Sequence, residues 1–480
     1  MKLSKIAINC KIIGSDLEIE GLTMNSKNVK KGDLFFAIVG KSSDGHDFIA
    51  QAIQNGASAI VVEREQKFCP IAQVIVQDSR IAMSVMAALF FNNPSRQLKL
   101  IGVTGTNGKT TVSHILQGIL KSWGKSVCLI GTLGVIVNGQ AVKDDEDSKS
   151  LTTPDPIELH KTLAMLVQKK VEYVVMEISA HSIALKKIEG LFFESIIFTN
   201  FSRDHLDFFE TVQNYKRTKA LLFTKKYTNH AVLNIDDDMG VEIASSADFP
   251  VLTYGCNRPA DVFAINLTMN CHGLKYFLNC MDNIANINFC LPGEFNMYNT
   301  LAAAATAHIL GAPIKKIVQG IKSVEKVDGR FNIINTDTFS VIVDFAHTDD
   351  GLANLLKAVR EFSCGKILCV FGCGGDRDQS KRSLMGFVAS KYSDIVILTN
   401  DNPRFENPNK IISHIEQGVK MISSTYYECI SDRKEAIKRS FELAGKDDLI
   451  VIAGKGAENT QEINGTFHSY NDLDFVKSLL

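Results

Sequence analysis

Long hydrophobic runs, paired cysteines and an excess of charge of one sign are all missing from this sequence. No apolar run reaches the ~18 residues that a membrane helix needs, and the amino end, MKLSKIAINCKIIG, is interrupted by Asn9 and Lys11 before a signal-type apolar core can form. The formal net charge is -1 with 22% charged residues, which argues against nucleic acid or a membrane surface as the main partner. We therefore expect a cytoplasmic protein whose partners are small molecules.

The eleven cysteines are scattered along the chain. Cys369 and Cys373 flank a glycine turn, but no second cysteine or histidine pair follows at zinc spacing. Because others, such as Cys128, sit inside apolar strand-like runs, we interpret the cysteines as reduced core thiols. We find no internal repeat or low-complexity segment.

One stretch that is present, IGVTGTNGKTT at residues 101–111, is typical of a phosphate-binding loop. It joins the end of a predicted strand to a predicted helix, so Gly105 and Gly108 let the backbone amides turn inward while Lys109 and Thr110 supply a positive charge and a metal contact. Val103 stands where the strict G-x-x-x-x-G-K-[ST] pattern has its first glycine. From these residues alone, both a nucleotide site and a glycine-rich turn with a solvated lysine remain open.

The middle of the chain predicts a mostly parallel sheet. Apolar runs at 173–179, 195–200 and 231–236 alternate with helical patterns. Glu177 ends the first run, where a buried acid is costly unless it is paired or binds metal, so it is a candidate Mg²⁺ ligand opposite Thr110; a strand-end glutamate facing water is the alternative.

Polar side chains also follow the second run. Asp204, His205 and Asp207 come after the predicted strand end, where a second cation could bind, although such a histidine is more often a cap or a surface residue. Tyr215, Lys219 and Phe223 share one face of a predicted helix at four-residue spacing. The lysine would then either reach solvent or carry a modified or paired head group, and both interpretations stay open.

Strands and helices alternate regularly after residue 330, which predicts a second doubly wound domain. The polar stretches 91–99 and 323–330 are candidate boundaries, since roughly 150 residues per domain gives about three domains. We predict an α/β protein with a smaller N-terminal α/β domain (1–97), a central P-loop ATPase-like domain with a parallel sheet (98–327) and a C-terminal Rossmann-like domain (328–480).

Unusual polar residues of the last domain fall where ligands bind in open α/β sheets, beyond the carboxyl ends of strands. They are Asp344 and His347, Gly374–Arg377, Asp401–Arg404 and Gly454–Glu458. We expect these loops to line one crevice that suits a phosphate tail and a zwitterionic amino acid. The alternative is solvated ion pairs within the loops, Arg377 with Asp376 or Asp378 and Arg404 with Glu406.

Long motifs in a fixed order carry a resemblance. The motifs are, in this order, TGTNGKTT, MEIS, TNFSRDHLDFF with YKRTKALLF, LPGEFNMYN, DGRF, VDFAHT, FGCGGDRD with KRSLMG, DNPRFE and AGKGAE. The chain that carries them resembles the Mur ligases, and most closely the MurE type. The resemblance runs from about residue 21 to the final helix.

The resemblance implies an ATP-dependent, ADP-forming amide ligase of peptidoglycan synthesis, and so of cell-wall biogenesis, cell shape and cell division. ATP would phosphorylate the D-glutamate γ-carboxylate of a UDP-N-acetylmuramoyl dipeptide, and the incoming amine would displace phosphate from that acyl phosphate. ATP and Mg²⁺ are the implied cofactors, and we expect a monomer.

The resemblance also implies roles for individual residues. The implied ATP contacts are Thr104, Gly105, Thr106, Asn107, Gly108, Lys109, Thr110, Thr111, Asn296, Asn299, Arg330, Asp344 and His347. The implied contacts to the UDP-muramoyl dipeptide are Ser26, Asp44, Gly45, His46, Thr152, Thr153, Ser179 and Lys187. The implied metal ligands are Thr110, Glu177, His205 and Lys219, the last as a carbamate, and the implied catalytic set is Lys109, Glu177, His205 and Lys219.

DNPRFE bears on which amino acid is added. DNPR resembles the signature of ligases that add meso-diaminopimelate, in which the arginine meets the distal carboxylate that lysine lacks. The implied pocket is Arg377, Asp401, Asn402, Pro403, Arg404, Gly454 and Glu458, and a lysine complex would leave Arg404 unpaired.

Some positions depart from the family pattern. They are Asn25, Lys27, Ala180, Lys187, Asp349 and Ala457. Lys187 replaces an arginine, which loses bidentate geometry and bears on substrate affinity more than on chemistry. A sister ligase that adds lysine and a nucleotide-binding regulatory protein without turnover are the alternative functions.

Overall fold

The computed structural model describes residues 1–40, 43–142, 152–281 and 283–480, which form two compact α/β units. The first unit contains residues 1–102, 126–196 and 221–229, and the second contains residues 103–125, 197–220 and 230–480. The division falls inside the strands Lys99–Thr104 and Ser195–Phe198. In the described part of the chain, no helix combines the length and apolar character that crossing a membrane requires.

The first unit begins with a five-stranded sheet. Its strands, in spatial order, are Lys11–Ile13, Ala72–Ile75, Ala59–Val62, Asp33–Phe36 and Gly21–Thr23. All neighbours are parallel except the first pair. Because side chains alternate along a strand, Leu34 and Phe36 enter one core while Phe35 and Ala37 enter the other, so both faces of the sheet are buried.

A second group of strands in this unit carries Glu177. Tyr173–Glu177 runs parallel to Val127–Gly131, which continues into an antiparallel hairpin with Gly134–Val137 and then Gln140–Ala141. The α-helices of the first unit are Leu3–Ile6, Ile49–Gln54, Ser79–Phe90, Pro156–Gln168 and Ala180–Ala184. Its 3-10 helices are Ser26–Asn28, Gly45–Phe48 and Pro94–Gln97.

The second unit contains strands of two large sheets. In the first of these, Ala231–Asn234 and Val251–Tyr254 are parallel, and three further strands, Val262–Asn270, Gly273–Cys280 and Asn283–Phe289, follow as an antiparallel meander. The sequence analysis did not predict the meander. Its burial alternates along each strand because one face is exposed.

The other large sheet has the doubly wound pattern that the sequence predicted. Its strands, in spatial order, are Asn332–Asn335, Ser340–Asp344, Leu449–Ala453, Ile367–Phe371, Ile395–Leu398 and Tyr426–Cys429. All pairs are parallel except the first. The four central strands therefore end at one edge of the sheet, and a hairpin, Thr460–Ile463 with Thr466–Ser469, follows strand Leu449–Ala453 along the chain.

Helices pack closely around the phosphate loop of this unit. Lys109–Ser122 packs on Glu294–Ile309 and Ile314–Lys322, and a Cβ at Gly118 would lie 2.8 Å from the Gly320 carbonyl oxygen, so two glycines allow the close approach. The helices of the second unit are Lys109–Ser122, Leu206–Phe209, Val212–Ala220, Asp238–Ser246, Glu294–Ile309, Ile314–Lys322, Asp349–Phe362, Lys381–Tyr392, Pro408–Val419, Arg433–Leu443 and Asp472–Leu479.

Two sequence interpretations are wrong. The helix that carries Tyr215 and Lys219 ends at Ala220, so Phe223 does not share its face. All eleven cysteines are free, but Cys256, Cys271, Cys364 and Cys429 are exposed and are not core thiols. Apolar neighbours in the sequence predict burial of a cysteine only where other parts of the protein pack over the whole segment.

Candidate active site

The phosphate loop has the predicted strand–loop–helix geometry. Strand Lys99–Thr104 leads into the loop, and helix Lys109–Ser122 begins after Gly108, whose φ of +87° is left-handed. The Lys109 ammonium donates to the carbonyl oxygens of Gly105 (3.0 Å) and Thr106 (2.9 Å). The lysine therefore lies over the loop, where a phosphate would meet both its charge and the helix N-terminus.

The segment that directly follows strand Ser195–Phe198 holds the phosphate loop through hydrogen bonds. Asn200 holds Asn107 twice, because its Oδ1 accepts from the Asn107 N–H (2.9 Å) and its Nδ2 donates to the Asn107 carbonyl (3.1 Å). The Thr199 hydroxyl donates to the same carbonyl at 2.6 Å, and the Thr106 hydroxyl donates to the Ser202 carbonyl at 3.1 Å. The loop conformation is therefore fixed before any ligand binds.

Two glycines of the loop have no room for a side chain. A Cβ at Gly105, where φ is +148°, would collide with the Thr199 hydroxyl, and one at Gly108 would lie 2.5 Å from Asn299 Oδ1. Asn299 in turn donates to Asn296 Oδ1 at 3.0 Å, and both side chains are buried. The two asparagines that the resemblance placed at the nucleotide thus lie against the loop.

Arg330 connects the loop to the start of the C-terminal sheet. Its Nη2 donates to the Thr110 hydroxyl (3.2 Å), and its guanidinium lies 4.4 Å from the centre of the Phe345 ring. Asp344 accepts from the N–H groups of Phe331 and Ala346, both at 2.8 Å, and burial raises its pKa although Arg330 acts in the opposite sense. Asp344 is therefore a structural anchor of this segment as well as a predicted ATP contact.

A second contact joins the loop to the helix Asp349–Phe362. Asn107 Nδ2 donates to Asp350 Oδ2 at 3.1 Å, and Asp350 Oδ1 accepts from Asn354 at 3.3 Å. The first turn of that helix therefore lies beside the phosphate loop, so its amide groups can contribute positive potential there.

Asp204 is the centre of a cluster of one lysine and two histidine side chains. Lys381 Nζ lies 3.1 Å from its carboxylate, His205 Nε2 3.3 Å and His347 Nε2 3.6 Å. Burial would raise the pKa of Asp204, but the contact with His347 and the charge of Lys381 hold it well below its ordinary value. The histidines that the sequence singled out are therefore brought together by a carboxylate.

Lys219 lies fully buried on the helix Val212–Ala220. Its Nζ lies 4.9 Å from the centre of the Tyr215 ring, and no ion pair involves Lys219 within the described ranges. Burial, and after it the charge of Lys109, holds the pKa of Lys219 well below its ordinary value. The neutral amine, which is the form that reacts with carbon dioxide, is therefore favoured.

Glu177 lies in the first unit, at the end of its strand, and is buried as predicted. Its carboxylate accepts from the Thr132 N–H (3.2 Å) and hydroxyl (2.9 Å). The Glu177 carbonyl accepts from the Thr153 hydroxyl (2.9 Å), which also accepts from the Ser179 N–H (3.3 Å), and Thr152 lies 3.4 Å from the Thr132 hydroxyl. Three of the predicted dipeptide contacts thus lie in one network around Glu177.

The other predicted dipeptide contacts of this unit have partners outside the network around Glu177. Lys187 forms an ion pair with Asp155 at 2.7 Å. His46 is held at both nitrogens, by Asp44 at 2.6 Å and by the Glu63 N–H at 3.2 Å, while the Ser26 hydroxyl donates to Gln51 at 2.7 Å. A Cβ at Gly45 would collide with the Ile38 amide nitrogen. Their role in binding the UDP-muramoyl dipeptide stays a prediction.

The loops beyond the C-terminal sheet meet at one edge, as predicted. Asn402 Nδ2 donates to Glu458 (2.9 Å), and the buried Lys455 donates to both Asn402 Oδ1 (3.0 Å) and Glu458 (2.8 Å). Gly454, with φ at +115°, would place a Cβ 2.8 Å from Asp401 Oδ2. These polar groups are therefore organised by Lys455, which lies in a predicted crevice loop but had no individual role in the prediction.

The ion pairs suggested as the alternative for this edge are wrong. Arg404 pairs with Glu462 at 3.1 Å, whereas Glu406 pairs with Arg382 at 2.8 Å. Arg377 donates to the main-chain oxygen of Asp376 (3.1 Å), and burial, followed by the charge of Arg404, lowers its pKa. Pro403 precedes Arg404, and its carbonyl accepts from the Glu406 N–H at 3.0 Å.

The residues present fit a nucleotide better than they fit a metal ion alone. Among the described residues, no group of three or more His, Cys, Asp and Glu side chains could hold a metal ion. Mg²⁺ in nucleotide sites is commonly bound through one or two carboxylates together with phosphate oxygens and water, so such a cluster is not required. The α/β fold and the phosphate loop together are those of a nucleotide-binding protein.

Comparison with known proteins gives the family. The model described as "Mur ligase middle domain" matches residues 103–307, "Mur ligase, glutamate ligase domain" matches residues 329–456, and "Mur ligase family, catalytic domain" matches residues 18–92. The chain belongs to the Mur ligase family and has its three domains. The predicted boundaries at 97/98 and 327/328 stay predictions.

Relatives of known name match along the whole chain. UDP-N-acetylmuramoyl-L-alanyl-D-glutamate--2,6-diaminopimelate ligase 1 of Clostridium acetobutylicum is 42% identical, over 100% of this chain and 99% of that protein. The 2,6-diaminopimelate ligase of Aquifex aeolicus is 39% identical, over 96% and 94%. A solved 2,6-diaminopimelate ligase has a TM-score of 0.67 at 30% identity, covering 100% of this chain and 98% of that one. MurF from Acinetobacter baumannii has a TM-score of 0.69 at 20% identity, over 99% and 98%, and so shares the fold.

Several residues of the site were missed by the sequence analysis. They are Thr132, Thr199, Asn200, Asp350, Lys381, Lys455 and Glu462. Thr199 and Asn200 directly follow a strand end, the position that drew attention to Glu177, so the same rule could have found them. Each of the others has at least one partner that is distant in the chain, such as Asp204 for Lys381 and Asn402 for Lys455.

We expect Asn200→Ala to raise the KM for ATP by about 10-fold, because two neutral hydrogen bonds to the phosphate loop are lost. The KM for the incoming amino acid should not change. Steady-state kinetics with each substrate varied in turn would measure this, with Asn409→Ala as a control, since Asn409 is exposed on the helix Pro408–Val419. An unchanged KM for ATP would show that the loop keeps its conformation without Asn200.

Proposed function

We propose that this chain joins meso-diaminopimelate to the D-glutamate γ-carboxylate of UDP-N-acetylmuramoyl-L-alanyl-D-glutamate, with ATP converted to ADP and phosphate. Full-length identity of 42% to a ligase named for these substrates supports the reaction. The observation that carries the choice of amino acid is the placement of Arg404 and Glu458 in neighbouring loops at one sheet edge, where hydrogen bonds through Asn402 and Glu462 link them indirectly. A guanidinium and a carboxylate there match the carboxylate and ammonium of the distal end of diaminopimelate.

The chemistry assigns a task to each part of the site. The γ-carboxylate must attack the terminal phosphoryl group of ATP, so two anions approach each other. The loop amides, the helix N-terminus and Lys109 offset that repulsion and the charge that develops on the transferred group. The amine must then meet the acyl phosphate in a fixed orientation, which a rigid pocket provides.

The metal assignment is part of the proposal. Glu177, with Thr110, would be a ligand of one Mg²⁺ and His205 a ligand of a second, and a carbamate on Lys219 would help to hold a cation. Mg²⁺ supplies charge neutralisation at the phosphoryl oxygens when bound. Support comes from the two hydrogen bonds that hold Glu177 at Thr132 and from the lowered pKa of the buried Lys219.

The remaining contacts follow the same proposal. The dipeptide would meet Ser26, the Asp44–His46 turn, Thr152, Thr153, Ser179 and Lys187. We also propose a monomer in the cytoplasm, since all substrates are small molecules; light scattering of the purified protein and fractionation of cells would test these two points.

The test is phosphate release from ATP with the UDP-muramoyl dipeptide, Mg²⁺ and bicarbonate, comparing meso-diaminopimelate, L-lysine and no amino acid. We expect release, and a tripeptide of the matching mass, with meso-diaminopimelate. Turnover with lysine instead would keep the ligase reaction and contradict the choice of amino acid. No release under any condition would favour a regulatory protein without turnover.

A further inference from the structure

Arg404 is fixed at its backbone by the hairpin that follows the sheet. Its N–H donates to the Glu462 carbonyl (3.1 Å), and its carbonyl accepts from the Asn464 N–H (2.8 Å), so it forms a single β-bridge opposite Ile463. Its φ of +51° is left-handed, a conformation that a non-glycine residue adopts at a cost. The loop and the hairpin therefore hold Arg404 in one place.

The guanidinium is held on two of its three nitrogens. Nε donates to Glu462 Oε2 at 3.1 Å, and Nη1 donates to the Gly375 carbonyl at 2.7 Å. Nη2 has no hydrogen-bond partner in the ranges that the structure describes, and the side chain keeps 18% of its surface exposed. Because Glu462 meets only Nε and Gly375 accepts one of the two N–H groups of Nη1, the other N–H of Nη1 and both N–H groups of Nη2 remain for a two-point contact with another carboxylate.

The backbone of Glu462 is itself held by a hydrogen bond to Asn402. Its N–H donates to Asn402 Oδ1 at 3.0 Å, and that oxygen also accepts from the buried Lys455 at 3.0 Å. Lys455 and Asn402 both donate to Glu458. One network therefore links the carboxylate suited to an ammonium group with the carboxylate that orients Arg404.

The charge balance supports the same assignment. Arg377 and Arg404 lie close enough for Arg404 to lower the pKa of Arg377 after burial, while Glu462 acts in the opposite sense. Asp207 and Asp376 act in the same sense as Glu462 on Arg377. Glu462 is therefore one of three carboxylates that offset the repulsion between the two neighbouring guanidinium groups.

We infer that Glu462 is a positioning residue for the distal end of the incoming amino acid, holding Arg404 by Nε so that its free edge meets the second carboxylate. This inference rests on the proposed function. A different role, in which Glu462 occupies the place of the substrate carboxylate and is displaced by it, would require contact with the Nη1–Nη2 edge, and the observed contact is at Nε.

The experiment compares Glu462→Ala, Glu462→Gln and wild type in steady-state kinetics with meso-diaminopimelate varied at saturating ATP and dipeptide. Loss of a hydrogen bond to a charged group predicts a KM for diaminopimelate raised about 10- to 100-fold in Glu462→Ala, with kcat and the KM for ATP nearly unchanged. Glu462→Gln should change KM less, because the amide oxygen still accepts from Nε. His468→Ala, an exposed position on the same hairpin, is the matched control and should behave as wild type.

Further outcomes decide the inference. A lower KM in Glu462→Ala would mean that Glu462 competes with the substrate, and an unchanged KM, or a rise for all substrates alike, would also overturn the positioning role. The double variant Glu462→Ala with Arg404→Ala should have nearly the same kcat/KM for meso-diaminopimelate as Arg404→Ala alone, because the effects of residues that act through one group are not additive. Additive effects would contradict the inference. Wild-type protein that forms no tripeptide would overturn the proposed function and this inference together, whereas a normal wild type with an unaffected variant overturns only the inference.

Discussion

Replacing Lys219 by alanine is expected to reduce kcat by at least about 100-fold, because the group proposed to help hold the cation at the transferred phosphoryl group is lost. The buried position of Lys219 and its lowered pKa make a permanent ammonium costly there. A carbamate formed from the neutral amine and carbon dioxide would supply an anionic ligand. The measurement is phosphate release in buffer with bicarbonate.

Added short carboxylates should restore part of the activity of Lys219→Ala, because they can enter the space left by the side chain. A Lys219→Met variant separates chemistry from folding, since it keeps the volume and removes the titrating group. Full activity of Lys219→Ala without added carboxylate would rule out the carbamate.

The stability of these variants should depend on pH in a defined way. In buffer free of carbon dioxide, the folded wild type binds fewer protons at Lys219 than the unfolded chain, so its free energy of unfolding should rise with pH toward the ordinary lysine value of about 10.4. Lys219→Met lacks this contribution. The amount by which its free energy of unfolding exceeds that of the wild type should therefore be largest at low pH and shrink as pH rises. Urea unfolding at several pH values would measure the difference.

Replacing Arg404 by alanine is expected to lower kcat/KM for meso-diaminopimelate by about 100-fold, since a bidentate charged contact to the distal carboxylate is lost. The weaker use of L-lysine, which lacks that carboxylate, should hardly change, so the preference between the two amino acids should nearly vanish. Arg404→Lys should not restore it, because an ammonium lacks the two-point geometry. An equal loss with both amino acids would mean that Arg404 serves the structure of the loop and not recognition.

The structure also changes the expected selectivity of the wild type. The sequence analysis expected a lysine complex to leave Arg404 unpaired, but Glu462 and Gly375 already bind two of its nitrogens. The penalty for lysine should therefore be closer to about 10²–10³ than to the 10⁴–10⁵ found where a missing partner leaves buried polar groups unsatisfied. Competition between the two amino acids at equal concentration would measure it.

The phosphate loop was predictable because its chemistry is local. Gly105, Gly108 and Lys109 follow one strand and precede one helix, and that order alone fixes where the amides point. The four loops of the C-terminal crevice were predictable for a related reason, since parallel strands end at one edge of their sheet. No such rule located the meander between residues 262 and 289. Nor did one locate the end of the helix at Ala220, because the polar and apolar pattern of the sequence continues beyond that residue.

The sequence by itself determined the family, the phosphate loop and the set of residues that gather at the C-terminal sheet edge, because each depends on neighbours along the chain. Only the tertiary structure decided the distant partners of the charged groups: Lys381 for Asp204, Asn402 for Lys455, and Glu462 for Arg404. An ion pair forms wherever two side chains meet within about 4 Å, and for Arg404 the sequence suggested the nearby loop acid Glu406. Which acid it meets depends on how the hairpin Thr460–Ile463 folds back onto the loop, a contact that joins residues 58 positions apart.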